Sequence, residues 1–186
     1  MADRAYLYSD DRPDAWKAPE DCYYDSRWTI PLAWFFFFKP EDVRLVDAHY
    51  EGSQWQEVRL SAAKLTALEL FERRKALLMS IIGHRMGDEA ITRFVSTVRG
   101  RRGRHLFVNP DEVLGGINCD FEDDQGHAVH IAQILATLGD GSCLVEKAIE
   151  ITAPYVKDFS PDPDRFECQV LGYTYGRDVS QDLVVD

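Results

Sequence analysis

No apolar run in this sequence is longer than Ile30 to Phe38, less than half of the roughly 20 residues that cross a bilayer core, so no transmembrane helix is expected. The N-terminal residues Asp3, Asp10 and Asp11 stand where a secretory signal would carry basic residues and then a long apolar stretch. The protein is therefore expected to stay in the cytoplasm. Cysteine is sparse: Cys22, Cys119, Cys143 and Cys168 are far apart and form no C-x-x-C pair, which speaks against a zinc ribbon or a thioredoxin-like site. They read as reduced and mostly buried. Gly/Ser linkers, low-complexity tracts and internal repeats are absent as well.

Missing too are the motifs whose spacing encodes a reaction: a P-loop, a dinucleotide fingerprint, H-E-x-x-H, G-x-S-x-G and an EF-hand loop. Gly139-Asp140-Gly141-Ser142 resembles fragments of several, but lacks the flanking Gly, Lys or Glu that each mechanism needs. A tight turn between two helices accounts for it. No cofactor is expected.

What is present is enough apolar material for a core. Hydrophobic residues make up 45% of 186, aromatics 12% and charged residues 28%, as in a folded chain of one domain spanning 1–186. The formal charge of −11 opposes nucleic acid and anionic membranes as partners. Its distribution is uneven, because Lys64 to Arg104 carries ten Lys and Arg against four acids. A basic middle is flanked by acidic ends.

Spacing predicts an N-terminal strand at Ala5 to Ser9, then a long loop over 10–27. Ile30 to Phe38 reads as a short buried helix opened by Pro31, with a central strand as the alternative. Val43 to Tyr50 and Gln54 to Leu60 form a hairpin around Glu-Gly-Ser. Ser61 is expected to cap a helix that ends near Ile82 before Gly83, with Leu65, Leu68, Phe71, Leu78 and Ile82 buried and Arg73-Arg74-Lys75 solvated. Asp88 to Arg99, Gly126 to Leu138 and Ser142 to Thr152 read as further helices, the last using Leu144 among its apolar positions. His105 to Val108 and Phe166 to Val170 read as strands, and 177–186 as a loosely ordered tail. Helices and strands intermix without a βαβ rhythm. The expected class is α+β: a mostly helical single domain with a small, mainly antiparallel sheet.

Three groups of residues are candidates for function. The densest set of potential ligands lies in Asn118 to His130, where Asp120, Asp124, His127 and His130 would have to converge on a divalent metal. The simpler account is a solvated acidic loop that favours the start of a helix. Cys119 or Cys143 with His127 as base is a further possibility, against the commoner role of cysteine as a small buried hydrophobe. The basic cluster Arg99, Arg101, Arg102 and Arg104, one turn beyond Arg93, suits phosphate or carboxylate, against a bland account in internal charge balance. Tyr6, Tyr8, Trp16, Tyr23, Tyr24 and Trp28 are dense for a region rich in Asp and Pro. Exposed aromatics among acids suit a protein-binding face; packing onto the core is the alternative.

The opening Met1-Ala2-Asp3-Arg4-Ala5-Tyr6-Leu7-Tyr8, with the later Trp28-Thr29-Ile30-Pro31-Leu32, resembles the start of an uncharacterised bacterial domain family that begins M-A-x-R-x-Y-L-Y and carries a later I-P-L. The resemblance covers about the first 40 residues. It implies a bacterial, cytoplasmic protein and transfers no site residues.

The leading functional expectation is a binding protein with a protein partner, such as an immunity-type inhibitor of a toxin. The alternatives are a metal-assisted hydrolase built on Asp120 to His130, and a structural partner in a larger complex that uses Arg99 to Arg104. The sequence leaves oligomeric state open.

Overall fold

The computed structural model describes residues 4–13, 22–27, 29–50, 53–114, 123–156 and 159–174. Its strands are β1 (Arg4–Asp10), β2 (Tyr24–Arg27), β3 (Val43–Tyr50), β4 (Ser53–Ala63), β5 (His105–Asn109) and β6 (Tyr173–Thr174). The helices are α1 (Lys64–Ile82), α2 (Asp88–Gly100), α3 (Asp111–Leu114), α4 (Asp124–Leu138), α5 (Val145–Thr152) and α6 (Pro163–Leu171). The strands join in the order β3-β4-β5-β1-β2-β6, every neighbour antiparallel. This is a mostly helical α+β fold. Among the described residues, no helix is long and apolar enough to cross a membrane.

Strand alternation separates two clusters. Ala5, Leu7, Val58, Leu60, Leu106 and Val108 join the main core, while Tyr8 and Phe107, directly opposed in register, stack with centroids 5.1 Å apart in a smaller cluster with Cys22. The centre of the main core is the aromatic run. Leu32–Phe37 is a 3-10 helix with all six residues buried, and Phe37 stacks on Phe71 of α1 at 4.6 Å. Pro31 precedes its first turn, and Pro40 biases the preceding residue away from helical angles, so the segment has room for little more than two tight turns. Trp34 Nε1 donates to the Leu171 carbonyl at 2.9 Å, anchoring the end of α6 to the same centre. Gly172 stands there at φ 87; an added Cβ would lie 2.8 Å from the Trp34 ring.

Several expectations are corrected. The loop over 10–27 contains β2, in which Tyr24 and Ser26 are buried and Asp25 faces Arg4 in an ion pair; four residues with alternating charge hid the strand. Residues 14–21 and 175–186, which include the expected tail at 177–186, lie outside the described residues. Ser61 does not cap α1, because β4 runs on to Ala63, opposite His105. Within α1, Leu68, Phe71, Leu78 and Ile82 are buried as expected, but Leu65 is 75% exposed and Arg74 is 1% exposed, the reverse of the expectation at those two positions. Helix α5 begins at Val145, and Leu144 before it is exposed. Phe166 to Val170 is helix rather than strand. Asp162 caps it by accepting from Arg165 N at 2.9 Å, Pro163 occupies the first turn, and Phe166 and Val170 fall on one buried face.

Candidate functional site

The four described tyrosines of the N-terminal set do not form an exposed aromatic face. Tyr8, Tyr23 and Tyr24 are buried and Tyr6 is half-buried; Trp16 and Trp28 lie outside the described residues. Strand pairing explains it. Tyr8 packs on Phe107, and Tyr24 packs on Phe94 of α2 at 5.0 Å. Burial pushes the Tyr8 hydroxyl up to about 12, which keeps it neutral.

The ligand cluster has a structural occupation as well. Asp123 caps α4, its carboxylate accepting from Gly126 N at 2.8 Å. His127 is buried, with Nδ1 3.3 Å from the Tyr155 hydroxyl, and the His130 ring lies 5.5 Å from the Tyr155 ring. Burial lowers both imidazoles below their usual range, with Asp124 and Asp123 opposing it at His127. Asp120 and Cys119 lie outside the described residues. Among the described residues, no three His, Cys, Asp or Glu side chains converge as a metal site. Cys143 is half-buried, its thiol pushed up by burial, away from the thiolate a nucleophile needs.

The basic loop is where separate candidates meet. Helix α2 ends at Gly100, and the chain passes through Arg101 to Arg104 into β5. The loop is fixed to β1 and to the start of α1. Tyr23 Oη donates to the Arg102 carbonyl at 3.2 Å, Ser9 Oγ donates to the same oxygen, and Lys64 Nζ donates to the Arg101 carbonyl. Lys64 N adds a bond to the Arg104 carbonyl at 2.8 Å. Gly103 sits at φ 104, and a Cβ on it would lie 2.7 Å from both Asp10 N and Ser9 Oγ. Only glycine lets the loop come this close.

Internal charge balance accounts for part of the cluster. Arg99 pairs with Glu72 at 3.4 Å, Arg104 with Asp11 at 3.5 Å and Arg93 with Glu167 at 3.8 Å. Asp10 is gripped by Arg12, whose backbone N, Nε and Nη2 all donate to it; these bonds hold its carboxyl below the usual range. Arg101 and Arg102 differ. Both are exposed, and among the described residues neither has a carboxylate within ion-pair distance. The Arg101 guanidinium lies 5.5 Å from the Tyr23 ring centre, within reach of a cation–π contact. The two arginines rim a cleft of about 520 Å³, completed by Ser9, Asp10, Asp11, Tyr23, Gly100 and Gly103.

No family model, curated protein or solved structure matches the chain. The site must therefore be read from its chemistry. The Ser9 and Tyr23 hydroxyls at the cleft are spent on the Arg102 carbonyl, and both acids face arginines. Two guanidiniums on a fixed backbone suit recognition of an anionic group rather than bond making or breaking. The sequence pointed to these arginines, and to Tyr23 as an exposed aromatic rather than as a support for the loop, but missed Ser9 and Lys64; all three hold the loop. The glycines at 100 and 103 that bracket Arg101 and Arg102 were the available signal.

Proposed function

We propose that the protein is a protein-binding module whose docking site is the cleft at Arg101 and Arg102, and that its partner presents an acidic segment there. The observation that carries this reading is the pair of exposed arginines that have no carboxylate partner among the described residues, on a loop that four hydrogen bonds already order. A charge-assisted hydrogen bond contributes about 1.5–3 kcal/mol, and ordering in advance lowers the entropic cost of binding. The net charge of −11 then excludes most acidic surfaces by long-range repulsion. Only a short segment that enters the cleft gains the local attraction.

Inhibition of a toxin, in the manner of an immunity protein, is one activity such a module would perform. A structural role in a larger complex is another. Both rest on the same loop. The hydrolase alternative draws no support from the packing of His127 and His130 against Tyr155.

Fluorescence anisotropy with a labelled hexaglutamate peptide tests the reading. Binding tighter than about 100 μM at low salt is expected, weakening as salt screens the charges. The Arg101→Ala/Arg102→Ala variant should melt at the wild-type temperature and lose the binding. Equal binding by that variant, or preference for hexalysine, would overturn it.

A further inference from the structure

A second cleft, of about 220 Å³, lies between α2 and α6. It arises because α2 packs on α1, whereas α6 packs on β2 and the buried 3-10 helix, which leaves the two helices apart. Its size is below the roughly 300–1,000 Å³ typical of sites for drug-sized ligands, so its occupant is smaller. The floor is apolar and aromatic: the Tyr24 ring lies tilted against Phe94 with centroids 5.0 Å apart, beside the buried Ala90 and Leu171. Such rings take an apolar or aromatic body edge-on or stacked.

The rim is charged with both signs. Arg93 on α2 faces Glu167 on α6 at 3.8 Å, with side chains 71% and 46% exposed, and Asp164 lies one helical turn from Glu167 on the same wall. An ion pair this exposed and this long holds little energy and opens readily. When it opens, a cation donor remains on one wall and two carboxylates on the other. A ligand that carries both charges replaces the pair without leaving either side unmatched.

We infer that the cleft between α2 and α6 binds a small zwitterion with an apolar body, of the chemistry and size of an aromatic amino acid. Its carboxylate meets Arg93, its ammonium sits between Asp164 and Glu167, and its side chain lies on Tyr24 and Phe94. This site shares no residue with the loop at 99–104 and stands independently of it.

The test is an NMR titration of the full chain with phenylalanine, 3-phenylpropionate and 2-phenylethylamine as probes. Phenylalanine should shift the amides of Ala90 to Thr97 and Cys168 to Tyr173 saturably at millimolar concentration, and more tightly than either single-charge analogue. Arg93→Ala, at an exposed position, and Glu167→Gln, at a half-buried one and isosteric, should each weaken phenylalanine up to about fivefold, the scale of one exposed charge contact, without lowering the melting temperature. Arg101→Ala/Arg102→Ala should leave phenylalanine binding unchanged. The inference is overturned if phenylalanine shifts none of these amides up to about 10 mM, or if either analogue binds as tightly.

Discussion

Arg74 donates two hydrogen bonds to the carbonyl oxygen of Gly139, at 2.8 Å from Nε and 2.6 Å from Nη2, and so ties the middle of α1 to the C-terminal end of α4. Its other donors reach the carbonyls of Phe35, Phe38 and Leu135. Burial lowers the guanidinium to about 10, which leaves it charged at neutral pH, its hydrogen bonds going to peptide carbonyls while Asp42 and Asp140 favour the charge from farther off. These carbonyls lie at or just past helix ends; those of Phe35 and Leu135 also accept from Phe38 N at 3.5 Å and Gly139 N at 3.2 Å, and Arg74 adds a further donor to each.

Arg74→Met should therefore cost about 3 kcal/mol or more, the scale of stripping partners from buried polar groups. Arg74→Lys should recover less than half of that loss, because an ammonium lacks the planar fork that reaches several carbonyls at once. Denaturant unfolding of both variants measures this. A methionine variant as stable as the parent would mean that the five bonds only offset the desolvation of the charge.

Tyr23→Phe removes the 3.2 Å bond to the Arg102 carbonyl while keeping the ring under Arg101. A loss of about 1 kcal/mol is expected, together with faster hydrogen exchange in the Arg101–Arg104 loop. Unchanged exchange there would show that Ser9 and Lys64 suffice to hold the loop.

The two lowered imidazoles set a pH dependence. As pH falls, the unfolded chain takes up protons at its ordinary histidine pKa, before the buried His127 and His130 do. Their contribution is thus fully present above about pH 6.5 and is lost as pH falls through the folded values. Asp124, raised by burial, acts with the opposite sign at lower pH. The melting temperature should drop between about pH 7.5 and pH 5.5, and His127→Gln/His130→Gln should flatten the drop. The same slope in both proteins would trace it to other groups.

Leu65 and Leu68 lie one turn apart on α1 yet differ in worth. Leu65 is 75% exposed and Leu68 is 4% exposed. Leu65→Gln should change stability by less than about 0.5 kcal/mol, and Leu68→Ala should cost about 2–5 kcal/mol. Thermal melts of the two variants compare them directly.

The leucine pair also shows where the sequence stopped being informative. Periodicity revealed that α1, α2 and α4 exist, since each needs an apolar face whatever it packs against. It could not tell that the start of α1 leaves Leu65 in solvent, or that the middle of α1 meets helix ends that call for a buried arginine. The strand β2 was hidden because it is only four residues long and carries Asp25 and Arg27, which resemble loop chemistry although Asp25 is buried. For α6 the cue was present but outweighed: Asp162-Pro163 is a helix start, yet the alternation from Phe166 to Val170 fits a strand equally well. In the basic loop, spacing put the arginines on one segment, while which of them face a carboxylate among the described residues depends on Asp11 and Glu72, far away in the chain.

The pairing of β1 with β5 has a consequence for assembly. Tyr8 finds its register partner Phe107 only after nearly a hundred intervening residues have been made, whereas Tyr50 of β3 and its partner Ser53 of β4 are close neighbours in the chain. At about 5–20 residues per second, β1 waits several seconds on the ribosome with one edge uncovered. The seam of the sheet is therefore its middle, between β5 and β1, and the two halves are zipped together late rather than extended strand by strand from one side.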